Sequence, residues 1–574
     1  MQSEVIHSEH ALNSPVFTIR TEASGIGINP KQFWEQLRYF YRSAKLPKGY
    51  KSQKLQSVFK SILSTEKIAQ EKKSPQLLFN ILDEQIAAYQ AEINDQFKQK
   101  SNALITSLQE LLVVDGKEQP IGEVYDFASD VIAFDKLSGL IPQTEGKLLT
   151  KSRSKRLISV LDRLKKGLKY LDGTMATVMI DSVIEQESKV LSHCEVITTQ
   201  EDLLSGVGEN VRKEMDQFID LIKAFRVAAL EVDNLYKEEV HDEYFEHFSW
   251  YQLTKAERKL FHPFVVVTKH EYLTQKLEVF SELLSTNWPI NFVVLNRQVT
   301  SPTDEKVSWE DAAHRYRQEL SMFAIAHRNV YTFQTAISND HIVANGVRSC
   351  LHSTGPSLAH FLQDSDGKSI SGVSTICRYF PTINYNPVIT TDIEHRLNLE
   401  GNEQPTKAWS EFELALDEGI GDPTRIQLPF TYADYKALFP SKVSELLIIP
   451  PEFFRDPHLV PLHEYLQLEA SQLMGKVPYI LLADKEGGLY KAAVPNVWVV
   501  SCQERLDFWQ LLQEIGGVEN RPEDSENTPT ESKQQADVLS DLKQKHEQEI
   551  EKVREEATKK ATEQLIGILL KDIG

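Results

Sequence analysis

Cysteine is scarce in this chain: four in 574 residues, Cys194, Cys350, Cys377 and Cys502, all far apart. No CxxC pair and no ferredoxin-like run of thiols occurs. Iron–sulfur clusters hang on closely spaced thiolates, so that spacing argues against an iron–sulfur protein. It also argues against a disulfide-stapled scaffold and suits ordinary thiols in a reducing compartment. Long apolar runs are missing as well. No stretch reaches the ~18 apolar residues that a membrane-spanning helix needs, and the opening MQSEVIHSEH is polar rather than a secretory leader. Positive charge is in deficit: 63 Lys and Arg stand against 83 Asp and Glu, a net charge of −20. The chain is therefore expected to be cytoplasmic, with no nucleic acid and no membrane among its partners. One basic run, Lys151-Ser152-Arg153-Ser154-Lys155-Arg156, passes directly into Leu157, Val160, Leu161 and Leu164 at helical spacing, and reads as a solvated helix start. No G-x-S-x-G elbow accompanies Ser353 or Ser357, which argues against a hydrolase. His241, His247 and His262 lie near Asp242, Glu243 and Glu246, but six residues separate His241 from His247, which does not put both on one helix face for zinc. No internal repeat suggests a solenoid.

What is present is the composition of a soluble globular protein, 41% hydrophobic and 25% charged, long enough for about two to four domains. Residues 1–28 read as a flexible arm with a short strand at Val16 to Ile19. Residues 29–150 read as a helical region. It opens at Asn29-Pro30, where Asn caps and Pro fits the first turn. An aromatic stripe of Phe33, Trp34, Leu37, Phe40 and Tyr41 follows, read as core, and then charged amphipathic helices including Leu77 to Leu112. Asp115-Gly116 breaks the pattern, and Val124 to Leu140 is another helical stretch. Residues 151–240 form a helical lead-in, with Ser205-Gly206-Val207-Gly208 as a flexible break before a long helix from Arg212 to Tyr236. Residues 241–380 form an α/β domain. Residues 381–518 form an α+β tail, with strands expected at Val443 to Ile449, Tyr479 to Ala483 and Val497 to Val500. A hairpin-type turn is expected at Asp484 to Gly488, and a helix from Trp509 to Ile515 closed by Gly516-Gly517. Residues 519–535 are a polar, acidic, Pro-containing linker. In residues 536–574, Leu539, Leu542, His546, Ile550, Val553, Ala557, Ala561, Leu565 and Ile568 recur every three or four positions. That pattern predicts an amphipathic helix or short coiled coil, either a docking or self-association element or a helix folded back on its own body.

The sharpest local signal lies between Pro263 and Thr303. Phe264 to Thr268 is a β-branched apolar run, Leu273 to Leu284 has helical spacing, and Ile290 to Leu295 is a second apolar run, together a βαβ unit. The turn after the first strand of such a unit ordinarily receives a ligand. Phosphate there requires glycine, so that backbone N–H groups can approach, and a bound Mg²⁺ requires a carboxylate. This turn reads Val267-Thr268-Lys269-His270, without either.

The same region resembles the C-terminal thiamine-diphosphate-binding part of pyruvate:ferredoxin (flavodoxin) oxidoreductases, most nearly the very long fused members. Upstream, Phe245-Glu246-His247-Phe248-Ser249-Trp250 is similar to their lead-in. Glu319 to Tyr331 and Gly355-Pro356-Ser357-Leu358 are similar to their later helix and strand. Motifs similar to those of their tail follow in order: Tyr379-Phe380-Pro381, Tyr385-Asn386-Pro387, Leu399-Glu400-Gly401-Asn402, Thr431-Tyr432-Ala433-Asp434, Pro461 to Leu466, Val477 to Ile480 and Trp509 to Glu514. The resemblance covers roughly residues 150–519. It implies that the family's Gly-Asp-Gly turn falls on Thr268, Lys269 and His270, in a register that leaves a one-residue shift open. The magnesium-binding Asp position then holds Lys269. In the second motif a Thr that would complete the metal shell is Arg297, Val299 supplies a backbone carbonyl as in the family, and the Asn facing cofactor and substrate is Pro302. Exchanging a carboxylate for Lys alters the local charge by two units, each worth about 4 kcal/mol at ~4 Å and an effective dielectric of ~20, which opposes a bound Mg²⁺. A bare anion held by Lys269, His270 and Arg297 is the contrary reading, disfavoured by the missing glycine.

The resemblance thus implies a degenerate thiamine-diphosphate-binding-type α/β domain with a helical N-terminal region, an α+β tail and a C-terminal amphipathic helix. No cofactor, metal or catalytic residue is expected. The expected role is that of a non-catalytic homologue serving as an assembly or regulatory subunit, with a protein partner or a second copy engaged through the C-terminal helix. Two alternatives stand beside it: a subunit of an active 2-oxoacid oxidoreductase completed by another chain, and a structural adaptor unrelated to 2-oxoacid metabolism.

Overall fold

In a computed structural model of the chain, the structure describes residues 16–19, 55–63, 76–115, 150–173, 176–199, 202–298, 319–364, 371–388, 395–417, 424–449, 453–484 and 487–518. The chain divides into two units, residues 1–518 and 519–574, and every described residue belongs to the first. The aromatic stripe at Phe33 to Tyr41, the helical stretch at Val124 to Leu140, the acidic linker and the C-terminal amphipathic segment lie outside the described residues.

Sixteen strands among the described residues fall into two sheets. In chain order they are β1 (Val16–Ile19), β2 (Gln56–Ser57), β3 (Thr177–Asp181), β4 (Glu195–Thr199), β5 (Phe264–Lys269), β6 (Ile290–Gln298), β7 (Tyr331–Ala336) and β8 (Ser357–Asp364). Then come β9 (Ile383–Tyr385), β10 (Leu397–Asn398), β11 (Glu411–Asp417), β12 (Thr424–Pro429), β13 (Leu447–Ile448), β14 (Leu459–Pro461), β15 (Val477–Ala483) and β16 (Gly488–Ala493). The first sheet has the order β10-β9-β7-β8-β6-β5-β3-β4. Its six strands from β7 to β4 run parallel, and β9 turns antiparallel on β7.

The reason for this sheet is legible in its centre. Phe264, Val265, Val266 and Val267 of β5 are all fully buried, as are Phe292 and Val294 of β6. A strand buried on both faces is apolar without alternation, and helices must cover both sides. One face lies under the helices Leu203–Val232, His270–Gln275, Leu277–Ser285 and Leu320–Ala326, through Val211, Phe218, Phe280 and Leu284 against Phe264, Val266, Phe292 and Val294. The other lies under the start of the helix Leu77–Asp115 and the helix Asp340–Leu351, through Phe79, Leu82, Ile86, Val343 and Val347 against Val265, Val267, Val293 and Phe361.

The chain leaves β3 for β4 on the second face, where Ile184 packs, and leaves β5 for β6 on the first, where Leu273 and Phe280 pack. Adjacent parallel strands whose onward connections diverge form a topological switch point, and the crevice at their carboxyl ends is where such sheets receive ligands. Here those ends are Asp181 and Lys269.

The second sheet runs β12-β11-β1-β16-β15-β14, with β13 also on β16 and β2 on β15. β15 and β16 form the expected hairpin, with Gly487 at φ +82 in its turn, a value that a side chain would strain.

Several expectations are corrected. The stretch 151–240 is not wholly helical, since β3 and β4 lie within it. Ser205 to Gly208 is no break but the first turns of the helix Leu203–Val232. Burying Leu203, Leu204, Val207 and Val211 outweighs about 1 kcal/mol of helix propensity for each glycine. Val497 to Val500 is helix rather than strand, inside Asn496–Ile515. The buried residues Trp498, Val499, Cys502, Leu506, Trp509 and Leu512 recur at helical period, and the extended Pro495 precedes the first turn. Val443 closes the short helix Pro440–Val443, leaving only Leu447–Ile448 as strand. The short strand expected at Val16 to Ile19 is present, joined in parallel to β11 and β16.

Candidate functional site

At the switch point the polypeptide passes from strand to helix with no intervening loop. Lys269 ends β5 in an extended conformation (φ −92, ψ 151) and His270 begins the helix His270–Gln275. A phosphate-cradling turn needs a stretch of free N–H groups with close backbone approach. The first turn of the helix leaves backbone N–H groups outside its own ladder, but no glycine is present to permit the close approach.

Thr268, Lys269 and His270 take three different environments. Thr268 is fully buried, and its hydroxyl finds no hydrogen-bond partner among the described residues. Lys269 is half-buried in register with Leu295. His270 turns back onto the sheet and stacks on His360 of β8, ring centroids 5.2 Å apart and planes 7° from parallel. The other three expected positions contribute less. Arg297 holds a backbone place in β6 opposite Gln363, while its side chain, Val299 and Pro302 lie outside the described residues.

Register explains why the two histidines meet. Thr268 pairs with Val294, Val294 with His360, and His360 with Gln334, so these four residues form one row across β5, β6, β8 and β7. His270, one step beyond the end of β5, sits over that row. His360 is 1% exposed. Its Nε2 lies 3.3 Å from His270 Nδ1, and its Nδ1 lies 3.2 Å from Gln334 Oε1. Gln334 is anchored in turn: its Nε2 donates to the Pro381 carbonyl at 3.0 Å and its Oε1 accepts from Ser321 Oγ at 2.6 Å. The ring of Phe380 closes on His360 edge to face at 5.0 Å.

Burial sets the charge state of the pair. It pushes His270 below the usual histidine range, against opposing fields from Glu271 and Glu319. It pushes His360 well below that range, and the neighbouring His270 pushes the same way. Two imidazoles stacked this closely in a poorly solvated site disfavour a proton on both. Beside them Glu319 Oε1 accepts from Arg505 Nη1 at 2.6 Å, with Arg505 3% and Glu319 17% exposed. The arrangement is a neutral, internally bonded polar row with an ion pair at its side. Among the described residues of this row, none is a carboxylate placed to meet a metal ion, and Lys269 brings a positive charge where Mg²⁺ would need a negative one.

Other residues weighed from sequence are dispersed. His262 Nε2 bonds Glu214 at 2.7 Å, whereas His241 Nδ1 accepts from the Lys237 N–H at 2.8 Å, so these histidines do not converge. No group of metal-ligating side chains occurs among the described residues. Ser357 is buried and its hydroxyl donates to Asn291 Oδ1 at 2.7 Å, a structural bond between neighbouring strands. Cys350 sits in the core under the first sheet, while Cys377 and Cys502 share the core of the second. Burial pushes the thiols of Cys350 and Cys502 up to about 12 and that of Cys377 higher still, far from the thiolate form that metal ligation needs.

Sequence reasoning found His270 but missed His360, Gln334 and Ser321. The available signal was three polar residues at core positions of apolar runs, Ser321 in LSMFAIA, Gln334 in YTFQTA and His360 in SLAHFL. A polar residue at such a place must find a partner.

No protein-family model matches this chain, and no curated protein matches it. Among solved structures, the chain is similar to one described as an "X-ray structure of a putative thiamin diphosphate-dependent enzyme isolated from Mycobacterium smegmatis", at 10% identity over 36% of this chain and 31% of that chain, with a TM-score of 0.18. At that TM-score the likeness brings neither a fold family nor a function to this chain. No described helix is long and apolar enough to cross a membrane.

Proposed function

We propose that this chain is a non-catalytic α/β subunit, a homologue of the 2-oxoacid:acceptor oxidoreductases, that works through protein contacts rather than through a bound cofactor. The reading is supported above all by the carboxyl end of β5. There a glycine-free strand-to-helix passage carries Lys269 where the resemblance calls for a magnesium-binding carboxylate, and the adjoining space is taken by the stacked His270 and His360. A neutral histidine pair neutralises none of the two to three negative charges of thiamine diphosphate. A lysine beside Mg²⁺ opposes the cation by several kcal/mol. The buried, protonated thiols bear on the same reading, because a chain that passes electrons to ferredoxin needs clusters held by neighbouring thiolates. Under this reading the amphipathic segment at residues 536–574 is the contact element, engaging a protein partner or a second copy.

The test is the association state of the gently purified full-length chain, by size-exclusion chromatography with light scattering. A self-associated species, or a stoichiometric complex with a second protein, is expected. A monodisperse monomer recovered with no partner would contradict the subunit role.

A further inference from the structure

Hydrogen-bond direction at the His270–His360 stack can be followed from a fixed end. The Pro381 carbonyl only accepts, so the atom of Gln334 facing it at 3.0 Å is the amide nitrogen, and Gln334 Oε1 faces the other way. That oxygen accepts from Ser321 Oγ at 2.6 Å and lies 3.2 Å from His360 Nδ1. Oε1 cannot donate, so His360 carries its proton on Nδ1. His360 is 1% exposed and held neutral by burial, which leaves Nε2 without a proton. His360 Nε2 therefore accepts across the 3.3 Å contact, and His270 Nδ1 donates. A neutral His270 protonated on Nδ1 has a bare Nε2, and that atom meets no hydrogen-bond partner among the described residues.

We infer that Gln334 and His360 lock His270 as its Nδ1–H tautomer, so that His270 Nε2 is a preset acceptor at the carboxyl end of the first sheet, built for a ligand or partner group that donates a hydrogen bond. The class that suits it is an ammonium, amide N–H or hydroxyl. Glu271 and Glu319 both act on His270, Glu319 while paired with Arg505, and their field favours a cationic donor over an anionic group. A fully ionised phosphate brings only acceptors and would oppose a lone pair with lone pairs. The inference goes beyond the subunit reading, because it holds whether or not the chain associates: it assigns the atom and the ligand chemistry of the switch-point crevice.

Long-range ¹H–¹⁵N correlation spectra of the full-length protein with ¹⁵N-labelled histidine read the tautomers directly, with assignments from His270→Asn and His360→Gln. At about pH 8 both rings are expected as Nδ1–H with bare Nε2. A protonated Nε2 on His270 would overturn the inference, and this native-protein result decides it even if a variant fails to fold. In Gln334→Leu the fixed acceptor is gone, and a fraction of His270 is expected to appear as Nε2–H. An unchanged His270 spectrum in that variant would show that Gln334 does not set the direction. Titration with methylammonium is expected to move the His270 Nε2 signal upfield, while sulfate, which carries only acceptors at this pH, leaves it in place. A response to sulfate instead, or to neither probe, contradicts the acceptor site.

Discussion

His270 and His360 meet at the carboxyl end of the first sheet, and their burial gives stability a defined pH dependence. Both are held below the ordinary histidine value in the folded chain. The unfolded chain therefore takes up protons near pH ~6.5 that the folded chain refuses. Stability contributed by the pair is fully present above that pH and is lost as pH falls toward the folded values, at about 1.4 kcal/mol for each tenfold difference in proton affinity. Chemical denaturation from about pH 7.5 to 5.5 should show this loss, and His360→Gln should flatten it. Asp434 behaves oppositely. As the third residue of the helix Tyr432–Lys436 it completes a capping box with the N-cap Thr431, accepting from Thr431 N–H at 3.0 Å and from its hydroxyl at 2.6 Å, yet burial pushes its carboxyl up to about 7. The unfolded chain releases that proton first. The contribution is thus full below pH ~3.8 and is lost as pH rises through about 7, with a ceiling near ~4 kcal/mol. Asp434→Asn keeps a capping side chain and removes the titration. The stability of the variant relative to wild type should therefore rise between about pH 4 and pH 8, and a constant difference would refute the assignment. These residues were hidden in the sequence because a polar residue inside an apolar run looks the same whether it faces solvent or a buried partner. Only the register of β5, β6, β8 and β7 brings Thr268, His360 and Gln334 into one row.

Among the elements, the βαβ unit was legible and several neighbours were not. Strands read at Phe264 to Thr268 and Ile290 to Leu295 appear as Phe264–Lys269 and Ile290–Gln298, because double-sided burial leaves a run that polar residues do not interrupt. β3 and β4 escaped notice because each is five residues long and sits between long amphipathic helices. Their strand state comes from pairing, β3 on β5 and β4 on β3, rather than from a local period. Glycines misled in the other direction, since Gly206 and Gly208 lie inside a helix that tertiary burial enforces. A third glycine shows what such a residue contributes. In the helix Asp340–Leu351 a Cβ on Gly346 would lie 2.0 Å from Phe333 Cε1, so the helix can approach β7 only because no side chain intervenes. Gly346→Ala gains about 1 kcal/mol of helix propensity and forces repacking. A net destabilisation of about 1–2 kcal/mol by urea unfolding is expected, and a stabilised variant would contradict this packing.

At the scale of the whole first unit, one helix ties the two sheets together. The N-terminal part of Asn496–Ile515 places Trp498, Val499 and Cys502 in the core of the second sheet. Its C-terminal half places Phe508, Trp509 and Leu512 against Ile383 and Tyr385 of the first. Arg505 lies between them, joined to Glu319 at 2.6 Å at the head of the helix Leu320–Ala326. Removing one partner of a buried ion pair strands the other, so Arg505→Ala is expected to cost about 3 kcal/mol, and Glu319→Gln combined with Arg505→Met less. Equal losses in the single and double variants would show that the pair is not coupled. Because the same helix serves both cores, near-ultraviolet circular dichroism and tryptophan fluorescence should report one unfolding transition for residues 1–518. The central claim is that this α/β body has lost the site for which its topology is suited. It is tested most directly by thermal unfolding of the full-length protein with and without thiamine diphosphate and Mg²⁺. A ligand present at ~100 times its dissociation constant adds about 2.7 kcal/mol to stability, a readily visible rise in Tm. The account predicts no rise. A clear rise that disappears when Mg²⁺ is removed would contradict it and return Lys269 and its neighbours to a cofactor site.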